Sequence, residues 1–254
     1  MYSSESSDKE ISWVISRDNN SFLNYFDRWK NGWETAFNRN LSDSVLNRYF
    51  LDAPLGSPIV ILGINNDIVV ASTTLVHLSL KDPNSSEVIN YLQCIAAYIL
   101  PRYSDGFGTY KEMIKLVKSE IIGTRYRFIV SFPNENAKNL MTRIGGFNLI
   151  DLGFFVRGKM ESKIINRLKS ELYRPFFDED LLRWRIRDGI FHEAGIIFKI
   201  FEGEKNLLDV TSNSHRKEFD GLMPWWTSWG ESPYSPVDNY RLNMCVYSEE
   251  KIPS

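Results

Sequence analysis

The chain has 254 residues, 43% of them hydrophobic, and its 30 Lys and Arg residues against 32 Asp and Glu residues give a formal charge of −2 at pH 7. This charge argues against a nucleic-acid partner bound through bulk positive charge, because phosphate neutralisation supplies most of the affinity in such complexes. The length is long for one compact domain and short for two, since a domain typically holds roughly 100–200 residues.

The cysteine content and the lack of a targeting signal argue against further classes of protein. Cys94 and Cys245 are too few for a disulfide scaffold or a four-ligand zinc site, and we predict no metal. The first ten residues carry neither the basic nor the apolar region of a signal peptide. No apolar run approaches the roughly 20 residues of a membrane span. The sequence therefore predicts a cytoplasmic protein without membrane insertion.

The N-terminal region predicts a flexible start followed by two helices. Residues 1–12 are polar and form the predicted flexible N-terminus. A second, short helix is predicted over residues 42–50, where Pro54 and Gly56 prevent its continuation. The first helix is indicated by apolar residues at spacings of four, three, four and four: Phe22, Phe26, Trp29, Trp33 and Phe37.

The apolar pattern then changes to that of strands. Residues 58–64 and 68–80 are rich in β-branched side chains and flank a polar segment at 65–67, which predicts a hairpin with a tight turn. The elements predicted after it are a strand at 88–100, a helix at 110–121, a strand at 125–132, a helix at 136–144 and a strand at 148–156. This alternation predicts an α/β (α+β) fold, a sheet with helices packed on its faces.

The remainder of the chain predicts a weaker repeat of the same pattern. A charged stretch at 158–174 is the predicted boundary, and it divides the chain into the N-terminus at 1–12, a domain at 13–160 and a second part at 161–254. The elements predicted beyond it are a helix at 178–188, strands at 195–201 and 206–210, a short helix at 215–223, a tryptophan-rich loop and a strand at 240–247. We interpret the second part as an incomplete second copy of the first domain, packed on it.

The turn that follows the strand at 88–100 is the most informative segment, and residues 101–109 read PRYSDGFGT. Gly106 and Gly108 lead into a helix whose first N–H groups lack internal partners, and this arrangement suits an anion such as a pyrophosphate. The alternative is an ordinary tight connection whose backbone angles require glycine. The sequence has no G-x-G-x-x-G fingerprint after its first strand and no G-x-x-x-x-G-K-[ST] P-loop.

A second segment, NENAKNLMTRIGGF at 134–147, gives this turn a context. Its Asn-x-x-Ala-x-x-Leu pattern ends in Gly-Phe, and the turn at 101–108 has the form Pro-x-Tyr…Gly-x-Gly. In this order the two segments resemble the GNAT superfamily of acyl-CoA-dependent N-acyltransferases. The resemblance covers residues 20–157 well and 175–247 loosely. The segments DAPLGSP at 52–58 and LRWR at 182–185 are similar to a GNAT subgroup associated with cell-surface polysaccharide genes.

The resemblance implies a mixed, strongly twisted sheet flanked by helices, with a V-shaped gap between its two central strands. The pantetheine of acetyl-CoA or another acyl-CoA is then expected along the strand at 92–100, with its pyrophosphate on the loop at 104–109. The residues assigned to acyl-CoA in this way are Ile99, Leu100, Tyr103, Ser104, Asp105, Gly106, Phe107, Gly108, Thr109, Asn134 and Asn136. For the two asparagines, capping of the helix that follows is an equally good interpretation.

Acyl transfer requires a base for the ammonium, an N–H group for the carbonyl oxygen and a proton donor for the thiolate. His77 is the histidine of the first domain and the candidate base, because imidazole titrates near neutrality; a structural histidine is the alternative. The chain departs from the family at two places. Ser104 and Asp105 stand in a turn that is usually basic, and Met141 occupies the place of the frequent tyrosine proton donor.

Three tryptophans, Trp225, Trp226 and Trp229, lie within five residues of one another. Because indoles stack on sugars and anchor interfaces, we interpret them as a wall for the acceptor substrate. The alternatives are a protein interface or a cover for an open sheet edge.

Two functional hypotheses follow from the sequence. The first is an N-acyltransferase, acetyl being the first choice, that acts as a monomer or homodimer on the amine of a small molecule such as an amino sugar or a surface-polysaccharide precursor. The second is a catalytically weak or inactive GNAT-fold binding or scaffold protein, which Met141 and the non-basic turn favour. A relative of the tandem-fold aminoacyltransferases that use charged tRNA is disfavoured by the net charge, and no nucleic-acid partner is expected.

Overall fold

A computed structural model describes the following parts of the chain: residues 10–42, 53–81, 87–104, 107–159, 174–175, 190–193, 196–201, 204–210, 220–226 and 236–249. The chain forms two compact units. The first unit comprises Met1–His77 and Leu92–Thr124, and the second comprises Leu78–Tyr91 and Arg125–Ser254. Two long strands, β3 (Ile68–Lys81) and β4 (Val88–Ile99), contribute residues to both units.

The first unit packs helices against an antiparallel sheet. Its further elements are β1 (Ser12–Ser16), α1 (Asn19–Leu23), α2 (Phe26–Phe37), β2 (Ile59–Asn65), a 3-10 turn (Pro101–Tyr103) and α3 (Gly108–Ser119). Strand β1 pairs antiparallel with β2 and β2 pairs antiparallel with β3, in the order β1-β2-β3-β4. Asn66 and Asp67 join β2 to β3 at φ angles of 46° and 66°. These left-handed angles are those of a two-residue hairpin turn, so the predicted hairpin is confirmed.

The apolar stripe of α1 and α2 forms the core of the first unit. Phe22 and Trp29 are fully buried, and their rings meet edge to face with centroids 5.4 Å apart. They pack against Val60, Val69 and Tyr98 of the sheet. Burial of one such aromatic side chain contributes about 1.5–3 kcal/mol relative to exposure, so this contact fixes α2 on one face of the sheet.

The second unit is a mixed sheet with one described helix. Its further elements are β5 (Ile129–Ser131), α4 (Glu135–Arg143), β6 (Asn148–Lys159), β7 (Arg174–Pro175), β8 (Ile190–Glu193), β9 (Ile196–Phe201), β10 (Glu204–Val210), β11 (Asp220–Trp226) and β12 (Pro236–Tyr247). The strand order is β4-β5-β12-β6-β11-β10-β9-β8, and β7 pairs with β3. Strands β10 and β11 are parallel, whereas β12 runs antiparallel to both β5 and β6. The last strand of the chain is thus inserted between β5 and β6.

The structure confirms the predicted α/β class and corrects several elements. The predicted helix at 215–223 is wrong where the structure describes it, because residues 220–223 belong to strand β11. Pairing with β6 through seven register positions fixes this strand, and such tertiary pairing overrides weak local preference. Strand β1 was not predicted. The predicted helices at 42–50 and 178–188 lie outside the described residues, and the domain boundary at 160 and the second-copy interpretation stay predictions.

An ion pair joins the end of β1 to the end of α3. Arg17 donates from Nε and Nη2 to the two carboxylate oxygens of Glu120, at 2.9 and 2.6 Å. The Glu120 side chain is only 5% exposed, whereas that of Arg17 is 58% exposed. This hydrogen bonding raises the pKa of the Arg17 guanidinium. The pair therefore satisfies a carboxylate that has little access to water.

Substitution Arg17→Met is expected to lower the free energy of unfolding by about 2 kcal/mol, because it strands the buried Glu120 carboxylate. Equilibrium denaturation in urea measures this loss. The double variant Arg17→Met with Glu120→Met should recover most of the stability, since an apolar pair replaces a buried charge. Lys115→Met provides the control: its ion pair with Glu112 is exposed on both sides, so a change below about 0.5 kcal/mol is expected. Equal losses of stability in Arg17→Met and Lys115→Met would contradict this interpretation.

Candidate functional site

Strand β4 is interrupted by a bulge at Ala96. The φ angle of this residue is +51°, a left-handed conformation that costs an L-residue roughly 1–2 kcal/mol. The pairing of β2 with β3 shows which residues share a face of the sheet. Paired residues share a face and neighbours along a strand alternate between faces, and Val60 pairs with Thr74 while Ile61 pairs with Thr73. Thr73 and Val60 therefore lie on opposite faces.

The side chains on either side of Ala96 show what the bulge does. Cys94 contacts Thr73 through its Sγ, 3.1 Å from Thr73 Oγ1, whereas Tyr98 packs with Val60 and Trp29. Residues four apart on a regular strand share a face, but Cys94 and Tyr98 lie on opposite faces. A bulge leaves one residue outside the regular ladder, which makes main-chain groups near Ala96 available to a ligand.

The conformation of Ala96 predicts a stability change of unusual sign. We expect Ala96→Gly to raise the free energy of unfolding by up to about 1 kcal/mol, because glycine relieves the left-handed strain. At Ala97, an exposed strand position, the same change should cost about 0.5–1 kcal/mol through the flexibility of the unfolded chain. Urea denaturation of both variants makes the comparison. A loss at Ala96 as large as the loss at Ala97 would exclude the left-handed backbone.

The turn after β4 leads into the N-terminus of α3 through a series of local hydrogen bonds. Tyr103 N donates to Leu100 O at 2.8 Å, and Thr109 Oγ1 donates to Tyr103 O at 2.8 Å. Phe107 precedes the helix with a left-handed φ of 59°. A Cβ atom added at Gly108 meets no atom of the described residues within 4 Å. The beginning of α3 is therefore open on the side that Gly108 faces.

Among the described residues, the charge around this helix N-terminus favours an anion. No residue of the first turn of α3 is acidic, and Lys111 is exposed there. The helix dipole adds roughly half a positive charge at this end, where the first N–H groups lack helical acceptors. Arg102, in the 3-10 turn, is also exposed. Backbone N–H groups, the dipole and two basic side chains together can hold a phosphate group.

Solved structures with this architecture share one enzymatic description. The chain is similar to a probable N-acyltransferase from Enterococcus faecalis, at 8% identity and a TM-score of 0.59 over 93% of this chain and 73% of that one. It is similar to a GCN5-related N-acetyltransferase from Kribbella flavida (8%, TM-score 0.57, 93% and 71% of the two chains) and to one from Anabaena variabilis (11%, 0.53, 92% and 72%). The chain has the GNAT fold. No protein-family model and no curated protein sequence matches it.

On this GNAT fold, most residues predicted for acyl-CoA in the first unit fall at the end of β4 and at the start of α3. Ile99 ends β4, Leu100 follows it, and Tyr103 closes the 3-10 turn. Ser104 is exposed, and its Oγ donates to Pro101 O at 2.8 Å. The remaining described residues of this set are Phe107, Gly108 and Thr109, while Asp105 and Gly106 lie outside the described residues. Their contacts with acyl-CoA stay predictions.

His77 is tied to the segment before β2. Its Nε2 lies 2.7 Å from Ser57 O, and because a carbonyl oxygen only accepts, Nε2 carries the proton. The Nδ1 atom is buried. Gly56, at a φ of 120°, lies beside the ring: a Cβ atom added there would be 3.5 Å from His77 Cδ2, an ordinary van der Waals contact. This is the geometry of a positioned ring, and a role for His77 as base stays a prediction.

Cys94 lacks the features of a nucleophile. Its thiol is buried, and burial raises its pKa, although the hydrogen bond with Thr73 acts in the opposite direction. A reactive thiol needs a lowered pKa and access to its substrate. Cys94 is therefore a small core residue of the sheet.

In the second unit, the predicted asparagines lie at the beginning of α4. Asn134 caps this helix, since its Oδ1 accepts from Ala137 N at 2.9 Å, and Asn136 is exposed. Met141 is buried within α4.

Trp225 and Trp226 lie in strand β11, opposite Phe154 and Gly153 of β6, rather than in the predicted loop. Trp229 lies outside the described residues.

Sequence reasoning misses three residues: Asn65 and Ala96 of the first unit and Asn243 of the second. Asn243 of β12 is 3% exposed and donates from Nδ2 to Pro133 O and to Glu135 Oε1, at 3.2 and 3.3 Å. Its Oδ1 is buried without a hydrogen-bond partner among the described residues. No local pattern marks these residues, because their roles depend on segments that are distant in the sequence.

Two searches of the described residues complete the site. Within them, no three His, Cys, Asp or Glu side chains converge to form a group that could hold a metal ion. Of the helices in the described parts of the chain, none has the length and apolar character needed to cross a membrane.

Proposed function

We propose that this protein is an acyl-CoA-dependent N-acyltransferase that acylates the amine of a small molecule. The observation that carries the proposal is the joined arrangement of the Ala96 bulge in β4, the turn at 101–104 and the open N-terminus of α3 at Gly108, on a GNAT fold. The similar structures support the acyl-transfer class, and the anion-binding character of the turn supports acyl-CoA as donor.

The pyrophosphate and the pantetheine of acyl-CoA each have a matching part in the first unit. The first N–H groups of α3 bind the pyrophosphate, and the open surroundings of Gly108 leave them accessible. Arg102 and Lys111 are exposed and supply positive charge. The main chain of β4 near Ala96 binds the amide groups of pantetheine, as the family resemblance implies.

The reaction places clear demands on the protein. The thioester of acyl-CoA supplies the activated acyl group, and the amine must lose a proton before or during attack. An N–H group beside the bulge in β4 stabilises the carbonyl oxygen as negative charge develops on it. His77 is the proposed base. Met141 has no proton to donate, so the thiolate takes its proton from water.

We assign the acceptor to the class of small amines, with amino sugars and surface-polysaccharide precursors as the first choice. Resemblance to the polysaccharide-associated subgroup at 52–58 and 182–185 motivates this choice. Trp225, Trp226 and Trp229 are the proposed wall for this substrate, because indoles stack on sugar rings.

A second candidate function is a GNAT-fold binding protein without turnover. The buried Met141 at the place of the proton donor favours it, as does the hydrogen bond that holds His77 Nε2 on Ser57 O. Both observations concern proton transfer and leave acyl-CoA binding unaffected.

Calorimetric titration with acetyl-CoA and with CoA tests the shared first step of both functions. Release of free thiol from acetyl-CoA is then followed with a panel of amino sugars, polyamines and amino acids. Binding together with amine-dependent thiol release supports the acyltransferase, and binding without release for any amine supports the second function. The absence of binding at millimolar acetyl-CoA would exclude both.

A further inference from the structure

Asn65 holds a position where three segments of the first unit meet. It ends strand β2, directly before the left-handed Asn66–Asp67 turn, and is only 6% exposed. Its Nδ2 donates to Glu10 O at 2.9 Å, just before β1. Its Oδ1 accepts from the Tyr103 hydroxyl at 2.8 Å.

The orientation of the Asn65 carboxamide is fixed by its partners. Glu10 O is a carbonyl oxygen and only accepts, so the NH₂ group must face it and the oxygen must face Tyr103. Tyr103 is then the donor, and its hydroxyl is directed at β2. This hydroxyl is therefore held by the protein, although the sequence assigned Tyr103 to acyl-CoA.

Tyr103 connects this hydrogen bond to the start of α3. Its N–H donates to Leu100 O, at the end of β4, and its carbonyl accepts from Thr109 Oγ1 in the first turn of α3. One residue thus holds the end of β4, the turn and the helix N-terminus in a fixed relation. Movement of Tyr103 would move the backbone N–H groups at the beginning of α3.

We propose that Asn65 is a positioning residue for acyl-CoA: through Tyr103 it fixes the turn after β4 in the conformation that binds the pyrophosphate. This role rests on the proposed function for its ligand, but its effect on the turn does not. It also connects the N-terminal strand to the donor site, because Asn65 is held in turn by Glu10 O. The hydroxyl of Tyr103 is bound to Asn65, and the contacts with the ligand are left to the main chain.

Tyr103→Phe tests the proposal with the full chain, since it removes the hydroxyl and keeps the ring. One neutral hydrogen bond is worth about 0.5–1.5 kcal/mol, so the dissociation constant for CoA should rise about three- to tenfold. Amide hydrogen exchange of peptides that cover residues 101–110 should become faster. Tyr126→Phe is the control, because it removes a tyrosine hydroxyl that accepts an exposed hydrogen bond from its neighbour Arg125 and lies outside the turn, so it should change neither quantity.

Asn65→Ala and the double variant complete a mutant cycle with CoA affinity as its readout. If Asn65 acts through Tyr103, the two effects will be clearly non-additive. Unchanged CoA affinity and unchanged exchange in Tyr103→Phe would overturn the proposal, as would additive effects. If the wild-type protein binds no CoA while exchange in the turn is faster in Tyr103→Phe, the proposed function falls and the positioning of the turn by Asn65 stands.

Discussion

Substitution Gly108→Glu is expected to separate stability from donor binding. The added carboxylate lies at the N-terminus of α3, where the helix dipole favours negative charge, so the free energy of unfolding should rise by about 0.3–1 kcal/mol. A Cβ atom at this position meets no atom of the described residues within 4 Å, so we expect no clash to offset this gain. The same carboxylate repels a pyrophosphate bound there. The dissociation constant for acetyl-CoA should therefore rise more than about tenfold.

Gly108→Gln is the matched control, because it adds a side chain of the same size without the charge. It should keep the affinity for acetyl-CoA within about threefold of the wild-type value, a change below 1 kcal/mol. Calorimetry at low and high salt adds a second criterion, since the loss in Gly108→Glu should shrink as salt screens the repulsion. Equal losses in the two variants would point to a steric effect, and no loss in either would place the pyrophosphate elsewhere.

The local features of the first unit could be predicted from sequence because their causes are local. The spacing of Phe22 and Trp29 predicts one buried helix face, and the structure buries both residues, although it divides the predicted helix into α1 and α2. Asn66 and Asp67 tolerate left-handed angles, so the hairpin turn lies where the composition indicates. The same holds for the entry into α3, where Gly108 allows an open approach. Of these elements, the entry into α3 belongs to the predicted donor site.

What could not be predicted depends on residues that are distant in the sequence. Alanine rarely adopts a left-handed conformation, and the residues next to Ala96 do not indicate the bulge. Asn65 and Tyr103 are 38 residues apart, and Arg17 and Glu120 are 103 apart. The glycine and proline residues near Trp225 predict a loop, but its pairing with β6 makes it part of a strand. Hydrogen bonds of this kind appear only when the sheet is assembled.

The contact between α2 and the sheet leads to the second large effect. Gly32 lies inside α2, where a glycine usually costs about 1 kcal/mol relative to alanine. In this helix, however, an added Cβ atom would lie 2.5 Å from Val69 O and would also overlap the Tyr98 hydroxyl. We expect Gly32→Ala to lower the free energy of unfolding by about 2–3 kcal/mol despite its better helix propensity, since overpacking of a close contact costs this much.

Two variants distinguish this close approach from a general intolerance of helix substitutions. Gly108→Ala, in open space, should be neutral or slightly stabilising in the same urea denaturation. Adding Tyr98→Phe to Gly32→Ala removes the hydroxyl but leaves Val69 O, so it should restore only part of the loss. Full stability in Gly32→Ala would show that α2 does not approach the sheet so closely.

The same variant connects packing to the donor site. Tyr98 lies two residues after the Ala96 bulge and donates to Trp29 O at 3.3 Å, so the helix that Gly32 allows to approach also holds the end of β4. An alanine at position 32 must push Tyr98 or α2 away. The main chain of β4 is the proposed contact for pantetheine. Gly32→Ala should therefore weaken acetyl-CoA binding at temperatures where the variant is still folded. Arg17→Met destabilises the same unit at the end of α3 and should leave acetyl-CoA binding unchanged. Calorimetry of both variants below their unfolding transitions distinguishes a displaced β4 from a loss of stability alone.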